Sequence, residues 1–199
     1  MRVQLKRPSA RDEPRFLEAA RRSRTFLRQW APPPCTSTAY RAYIKRLGKP
    51  THEGRFVVLR VSGELAGVIN VSEIVRGALR SAYLGYYAFV PHAGRGYMTE
   101  GVALALRWAF GTLRLHRVEA NIQPGNEASR ALVRRLGFRR EGFSPRYLKI
   151  AGRWRDHERW ALVAEDWRKH QSSNRPPAGA TSASPGRRQW RRAGPRRGP

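Results

Sequence analysis

Between residues 81 and 113 the apolar pattern changes period across one glycine-bearing turn, and this change limits the folds open to the chain more than any other feature. Ser81 to Val90 reads as a β-rich run that Pro91 ends, Gly94-Arg95-Gly96 follows, and Val102, Leu106, Ala109, Phe110 and Leu113 then recur at steps of three and four. The order expected is strand, tight turn, helix: proline cannot donate to a sheet ladder, and a 3.6-residue stripe buries one helix face. Glycines at such a turn let backbone approach a ligand closely. The free N–H groups of the helix's first turn, reinforced by its dipole, then make an anion site suited to a phosphate. The turn is not a P-loop, because no Gly-Lys-Ser/Thr follows, and it lacks the six-residue Gly-x-Gly-x-x-Gly dinucleotide pattern.

Around this unit helix-like and strand-like segments alternate. Val3-Gln4-Leu5 begins a short strand. Asp12 can cap a helix whose apolar positions Phe16, Leu17 and Ala20 continue toward Phe26, Leu27 and Trp30, until three prolines at 32 to 34 stop it. A second helix is expected over Ser37 to Leu47. Two β-rich runs, Phe56 to Val61 and Leu65 to Val71, flank Ser62-Gly63-Glu64 as in a hairpin. Beyond the long helix come a strand from Arg117 to Ile122, a Pro-Gly-Asn turn and a short helix from Glu127 to Leu136. That helix is expected to turn Ala128, Leu132, Val133 and Leu136 inward and Arg130, Arg134 and Arg135 outward, with Gly137 as a left-handed stop. Two last strands, Phe138 to Ile150 and Trp154 to Val163, join at Ala151-Gly152. The fold class is therefore α+β, a mixed and mostly antiparallel central sheet with helices on both sides.

At 199 residues one globular domain is expected, over residues 1–170. From Gln171 the composition collapses to Ser, Pro, Gly, Ala and Arg, so residues 171–199 are expected to be a disordered basic tail. The net charge is +26; seven of those charges are arginines of the tail, which leaves +19 on the first 170 residues. Such a surface attracts polyanions, RNA and anionic cofactors, and an Arg-rich composition with no binding role produces the same number. Cys35 is the single cysteine, no stretch has signal-peptide or membrane-spanning character, and a cytoplasmic protein without a membrane partner is expected. The five histidines show no paired metal spacing, so no metal site is expected.

A second segment, Asn121-Ile122-Gln123-Pro124-Gly125-Asn126-Glu127-Ala128-Ser129 running on to Gly137-Phe138, joins the glycine turn in a recognisable pair. Together they resemble the GCN5-related N-acetyltransferase (GNAT) superfamily, in which an Asn-x-x-Ser helix ending in Gly-Phe follows the acetyl-CoA diphosphate turn. Val75-Arg76-Gly77, Tyr83-Leu84-Gly85-Tyr86, His116-Arg117, Tyr147-Leu148 and Gly152-Arg-Trp-Arg-Asp156-His157 narrow the likeness to the RimJ branch of the RimJ/RimL enzymes, which acetylate N-termini of ribosomal proteins. The resemblance spans Val3 to about Trp167.

It implies a GNAT-like fold and acetyl-CoA as cofactor. Backbone of Ala88, Phe89 and Val90 would pair with pantetheine like an added strand, and the amides of Gly94, Arg95, Gly96, Tyr97 and Met98 would hold the diphosphate. Arg95 and one or more of Arg130, Arg134 and Arg135 would neutralise CoA phosphates, with a solvated surface charge the alternative for each; Asn126 would cap its helix, contact the cofactor, or do both. Two departures stand out. Pro91 replaces the Gln or Arg with which many relatives open the turn. Val133 stands where many carry the tyrosine that protonates departing CoA, and Ser129 is the substitute the RimJ/RimL likeness implies.

The implied reaction is direct attack of a neutral amine on the acetyl thioester through a tetrahedral intermediate. An N-terminal amine has a pKa of about 7.7–8.0, so a neutral fraction exists at pH 7 without a strong base. Glu73 is the candidate base, acting directly or through water, and a surface carboxylate on a turn is the alternative. Tyr147 lines the acceptor cleft or packs on the sheet. Glu100 is read as a helix-dipole partner, and Asp156-His157 as a structural pair. The acceptor expected is a protein N-terminus, from a monomer or homodimeric enzyme with ribosome or RNA contact through its basic surface. A small amine as acceptor, and an RNA- or ribosome-binding module without chemistry, are the other two readings.

Overall fold

The computed structural model describes residues 1–30 and 32–173. Seven strands form one sheet: β1 (Val3–Lys6), β2 (Glu53–Leu59), β3 (Leu65–Val75), β4 (Ser81–Ala88), β5 (Arg117–Ile122), β6 (Arg139–Ile150) and β7 (Arg153–Val163), in spatial order β1-β2-β3-β4-β5-β7-β6. Every neighbouring pair is antiparallel except β4 and β5. Parallel neighbours need a crossover, and the helix α4 (Tyr97–Gly111) supplies it.

Strand alternation sorts the side chains into two apolar layers. On one face Ile69, Val71, Leu84 and Val118 pack against Val102, Leu106 and Ala109 of α4, with Val133 of α5 (Glu127–Arg135) and Trp167 of α6 (Ala164–Ser173) in the same cluster. On the other face Phe56, Val58, Val68 and Phe89 meet Phe16 and Leu17 of α1 (Glu13–Arg22) and Tyr40 and Tyr43 of α3 (Ser37–Arg46). Helices cover both sides of the sheet, as the α+β reading requires.

Four differences from the sequence reading have local causes. The first helix breaks at Ser23, beyond which α2 (Arg24–Leu27) is one turn; Ser23 is fully buried and its hydroxyl accepts the Val90 N–H at 3.0 Å. Phe26, expected inward, is exposed. The strand expected to stop at Val71 continues to Val75 through a bulge, at which Glu73 has φ 50°. α6 was not expected at all, and it carries helix through Gln171, Ser172 and Ser173. The remainder of the expected tail, residues 174–199, lies outside the described residues. Among the described residues no helix is long and apolar enough to cross a membrane.

Asp12 is tied to its neighbours in a way the sequence suggested only in part. It precedes α1 without donating a cap; instead its carboxylate, 2% exposed, accepts the Ser9 N–H at 2.9 Å, the Ser9 hydroxyl at 2.8 Å, Lys6 Nζ at 2.8 Å and an Arg15 guanidinium nitrogen at 2.6 Å. Burial pushes this carboxyl upward, but the bonds from Lys6, Ser9 and Arg15 outweigh it and hold the group below its ordinary 3.8. The Asp12→Ala variant is expected to lose about 2 to 4 kcal/mol in urea unfolding, because the partners are left unpaired around an enclosed site. A depressed carboxylate stabilises the fold above its unfolded value and ceases to do so as pH falls through its folded value. Comparing wild type with Asp12→Asn from pH 6 down to pH 2.5 is therefore expected to show the difference in stability shrinking below about pH 4.

Candidate functional site

β4 and β5 run together for three residue pairs, Ser81↔Arg117, Ala82↔Val118 and Tyr83↔Glu119, and then separate. Beyond Tyr83 one edge of β4 has no strand beside it. Phe89 N–H bonds Ala66 O at 2.9 Å on the β3 side, so Ala88, one residue away and opposite Gly67, directs its N–H and C=O toward the open edge. A cavity of about 120 Å³ occupies the opening, lined on the two strands by Gly85, Tyr86 and Asn121 and closed by Ser129 and His157. A larger groove of about 390 Å³ adjoins it, between Trp30 at one side and Trp154, Arg155 and Asp156 of the β6–β7 hairpin at the other. Gln123 Nε2 donates to Gln29 O at 2.9 Å and ties the turn after β5 to the Trp30 side of the groove.

At the far end of the open edge β4 enters the glycine turn. Gly94 and Gly96 have φ 77° and 79°, the left-handed region that glycine adopts without strain. The first helical bond of α4 is Glu100 N–H to Gly96 O at 3.2 Å, so the amides of Tyr97, Met98 and Thr99 point out of the helix end with no partner within it. A cap side chain is absent at Gly96. The turn is fastened from behind by Arg2: its backbone N–H and Nε reach the Glu100 carboxylate at 2.6 Å each, a guanidinium nitrogen reaches Arg95 O at 3.1 Å, and its charge lies 4.6 Å from the Tyr97 ring centre. Burial raises the Glu100 carboxyl, and the bonds from Arg2 more than reverse it, leaving a net depression. Glu100 is thus a fastening for the turn as well as a first-turn acid.

Ser129 projects into the opening from α5. Asn126 Oδ1 caps that helix by accepting Ser129 N–H at 3.1 Å, and Ser129 Oγ sits 2.7 Å from the Tyr86 hydroxyl, which also reaches Ser129 O at 3.3 Å. Burial pushes the Tyr86 phenol well above its usual range, so it remains a neutral donor. Tyr147 O–H donates toward the Tyr83 hydroxyl at 3.4 Å, and its ring lies 6.0 Å from His157. That hydrogen bond, with burial second, pushes Tyr83 up to about 12.

The sequence reading is corrected at several of its site residues. Ala88, Phe89 and Val90 do not all offer backbone: Phe89 N–H is taken by Ala66 and Val90 N–H by Ser23, which leaves Ala88. Arg130 does not face solvent. It turns toward β7, with a guanidinium nitrogen on Glu127 and Pro124 O and Nε 3.2 Å from Glu158 Oε2, while Ala128 is the exposed one. The short helix is rotated from the expected stripe because the buried Glu158 draws Arg130 in. Glu73 does not join Ser129: it stands in the β3 bulge beside the stretch of β4 that is still paired with β5, its side chain 65% exposed and 3.7 Å from His52 Nε2. Asp156 and His157 do not pair with each other; Asp156 Oδ1 accepts Arg146 N–H at 2.7 Å and His157 Nδ1 meets Arg155 O at 2.9 Å. Tyr86, Asn121 and His157 line the cavity; the sequence reading gave the first two no site role and read His157 only as half of a structural pair. Their faces could be inferred from strand alternation; the separation of the strands that exposes them could not.

Known proteins share this arrangement. Residues 2–139 match the acetyltransferase (GNAT) domain family. The chain belongs to the GNAT acetyltransferases. It is 34% identical over 165 residues to the ribosomal protein uS5-alanine N-acetyltransferase of Escherichia coli (strain K12), across 79% of this chain and 85% of that protein. Among solved structures it resembles RimJ of Mycobacterium smegmatis in complex with CoA-disulfide, with TM-score 0.77, 28% identity and coverage of 86% and 88%. It also resembles the ribosomal-protein-S5-alanine acetyltransferase of Vibrio fischeri, with TM-score 0.76, 26% identity and coverage of 84% and 96%.

The residues of this acetyltransferase fit acetyl-CoA on three observations. The open edge at Ala88 offers one donor and one acceptor to an extended chain of amides, the unpaired amides of α4 offer donors to a diphosphate, and Gly85 leaves empty space where a side chain would stand. Arg95 is exposed beside the turn. Removing the fastening is expected to loosen this end of the site without unfolding the sheet. In Arg2→Ala, amide hydrogen exchange at residues 94–98 should speed up roughly tenfold, about the loss of one charge-assisted bond, while exchange in β3 stays as in the wild type.

Proposed function

We propose that this acetyltransferase moves an acetyl group from acetyl-CoA to the α-amine at a protein N-terminus, and that its acceptor is a ribosomal protein, as for the RimJ branch. Two relatives, at 34% and 26% identity, support the reading, since the Escherichia coli and Vibrio fischeri proteins are named for acetylation of an alanine in ribosomal protein S5. The open groove between Trp30 and Trp154 supports it as well, because an extended peptide end can lie in it with its terminus in the inner cavity. The high positive charge suits a protein bound to RNA better than it suits a cationic polyamine.

The observation that carries the chemistry is the hydroxyl pair Ser129–Tyr86 at the mouth of the strand opening. Acetyl-CoA supplies an activated acetyl group and a sulfur that must leave as a thiol. Ser129 is the proton donor in this reading. The two hydroxyls lie 2.7 Å apart and either can donate; with Tyr86 as donor to Ser129 Oγ, the serine's own proton is free to turn outward toward the leaving group. Asn126 fixes the serine backbone by accepting its N–H, and so sets where the hydroxyl stands. Ala88 holds the pantetheine chain, and the amides from Gly94 to Met98 with Arg95 hold the diphosphate. Arg130 contributes positive charge only at a distance, since Glu158 and Glu127 already engage it. Tyr147 and Tyr83 border the acceptor side. Most of the rate then comes from positioning two reactants across one small cavity.

Acetyl transfer to peptides beginning with Ala or Ser, followed by release of free thiol, is expected in the wild type. Ser129→Ala should lower kcat about a hundredfold with CoA affinity changed less than twofold, and Tyr86→Phe should lower it about tenfold. Equal kcat in Ser129→Ala would remove the serine from the reaction. Mass spectrometry of N-termini from cells with and without the gene identifies the acceptor; loss of acetylation from polyamines alone would replace the protein acceptor with a small amine.

A further inference from the structure

The acceptor side of the cavity lacks a free carboxylate among the described residues, yet it holds two uncharged acceptors. On β5, Glu119 is bound to Arg117 at 2.8 Å. On β7, Glu158 is held by Trp160 Nε1 at 3.0 Å and lies within ion-pair range of Arg130 and Arg140. Asp156 points to the other side of its strand and accepts the Arg146 amide. What remains is His157, 2% exposed, and Asn121, whose Oδ1 is shut off from solvent and has no hydrogen-bond partner. Asn121 opposes Arg159 across β5 and β7, and His157 lies two residues along from Arg159, so both side chains stand on the same face of the sheet. Both line the cavity that Ser129 and Tyr86 close from the opposite side.

The tautomer of His157 follows from its partner. Nδ1 lies 2.9 Å from Arg155 O, and a carbonyl oxygen only accepts, so Nδ1 carries the proton and Nε2 carries the lone pair. Burial depresses the imidazole below its ordinary 6.5, against smaller upward pulls from the Arg155 bond and Asp156. Near pH 7 the ring is therefore neutral and able to receive a proton. Asn121 lines the cavity, and its amide oxygen, which has no partner, is available to an incoming donor there. Burying an unpaired carbonyl costs about 1–3 kcal/mol, which an incoming N–H restores.

We propose that His157 Nε2 is the base that takes the proton of the attacking amine, with Asn121 Oδ1 receiving the amine's second N–H. The proposal rests on the acetyltransferase reading above and adds the acceptor half of the reaction to it. As the nitrogen lone pair forms the C–N bond, one N–H proton passes to His157 Nε2. The C–S bond breaks, the sulfur receives its proton from Ser129 Oγ, and solvent then takes the proton from His157 and returns one to Ser129. Two neutral acceptors suit this task. A carboxylate in their place would stabilise the ammonium form and withhold the lone pair. The ionisable groups around His157 are Tyr147 on β6, Tyr83 on β4, Glu119 on β5, and Arg155, Asp156 and Arg159 on β7. Tyr83, raised to about 12, stays protonated through neutral pH, Tyr147 donates to it, and Glu119 and Asp156 are already bonded.

The test uses the full chain, with acetyl-CoA saturating and an Ala-starting peptide or spermidine as acceptor, whichever the wild type acetylates. His157→Asn keeps a side-chain N–H where Nδ1 bonds the Arg155 carbonyl and removes the base, so its thermal midpoint is expected near that of the wild type. Its kcat should fall about a hundredfold at pH 7, with the KM for acetyl-CoA unchanged. The deficit should narrow as pH rises toward 9.5, where hydroxide and a neutral amine make the imidazole dispensable. Asn121→Ala should raise the acceptor KM about tenfold and leave CoA affinity unchanged. A His157→Asn deficit that is constant with pH, or an Asn121→Ala effect confined to stability or to CoA affinity, overturns the proposal. So does a pH-dependent loss found in Glu73→Gln instead of His157→Asn. If the wild type acetylates neither amine, the acetyltransferase reading itself fails; calorimetry of the peptide on the CoA-loaded protein then tests His157 and Asn121 directly, and equal affinity in all three proteins rejects them.

Discussion

Three residue pairs hold β4 and β5 together, and the rest of the molecule is arranged around the point at which they part. A sheet that continued in register would satisfy the backbone of Leu84 to Ala88 with β5. Instead β4 is pulled toward the α1–α2 layer, where Ser23 accepts the Val90 N–H, while β5 runs into the Gln123-Pro124-Gly125 turn. Leaving backbone unpaired at such an edge is costly in an enclosed site, about 1–3 kcal/mol for each orphaned group. The same deficit recurs at the start of α4 and at Asn121 Oδ1. Each of these unsatisfied groups faces the one region where a ligand of amides, phosphates and an amine would lie.

The acid-poor composition has a local consequence at that region. With 14 Asp and Glu against 40 Lys and Arg, carboxylates near the opening are taken up by arginines. Glu119 and Glu141 flank Arg117, and the second of these ties the paired end of β5 to β6 through that guanidinium. Its charged partners pull Glu141 below, and Arg117 above, their ordinary values, with the hydrogen bond between them the largest cause in each. Glu158 is drawn to Arg130 and Arg140 in the same way. The acceptor wall is thereby left with neutral polar groups, which can hold an amine without favouring its protonated form.

Much of this was legible before the fold was known. The strand from Arg117 to Ile122, the cap at Asn126, the left-handed stop at Gly137 and the turn ahead of α4 are each set by neighbours in sequence, and each is where local chemistry puts it. What was not legible depends on distant partners. Ser23 reads as an ordinary helical residue until Val90 arrives beside it. Arg130 reads as a solvent-facing residue until Glu158 is placed under it. α6 follows directly on β7 and is too short and polar to show a stripe; it is held by Trp167 against Phe110 at 6.4 Å, a contact that only the assembled fold creates. Glu73 reads as a base from its place at a strand end, and strand position alone does not say at which end of the opening a residue stands.

The division of the sheet into two faces also orders the reaction in space. α4 and α5 lie on one side and bring the anion-binding turn and Ser129; α1, α2 and the β6–β7 hairpin frame the other and bring Trp30, Trp154 and His157. The opening between β4 and β5 is the passage that joins them. A carrier bound along the β4 edge presents its reactive end at this passage, and an acceptor arriving through the tryptophan-lined groove meets it from behind. Donor and acceptor therefore need not compete for one entrance, and direct transfer between them requires no protein-bound acetyl group. In the proposed reaction the proton leaving the amine and the proton reaching the sulfur would be handled on opposite walls, by an imidazole fixed through Arg155 and a serine fixed through Asn126 and Tyr86. Holding these groups apart keeps the base from being neutralised by the acid before the substrates stand between them.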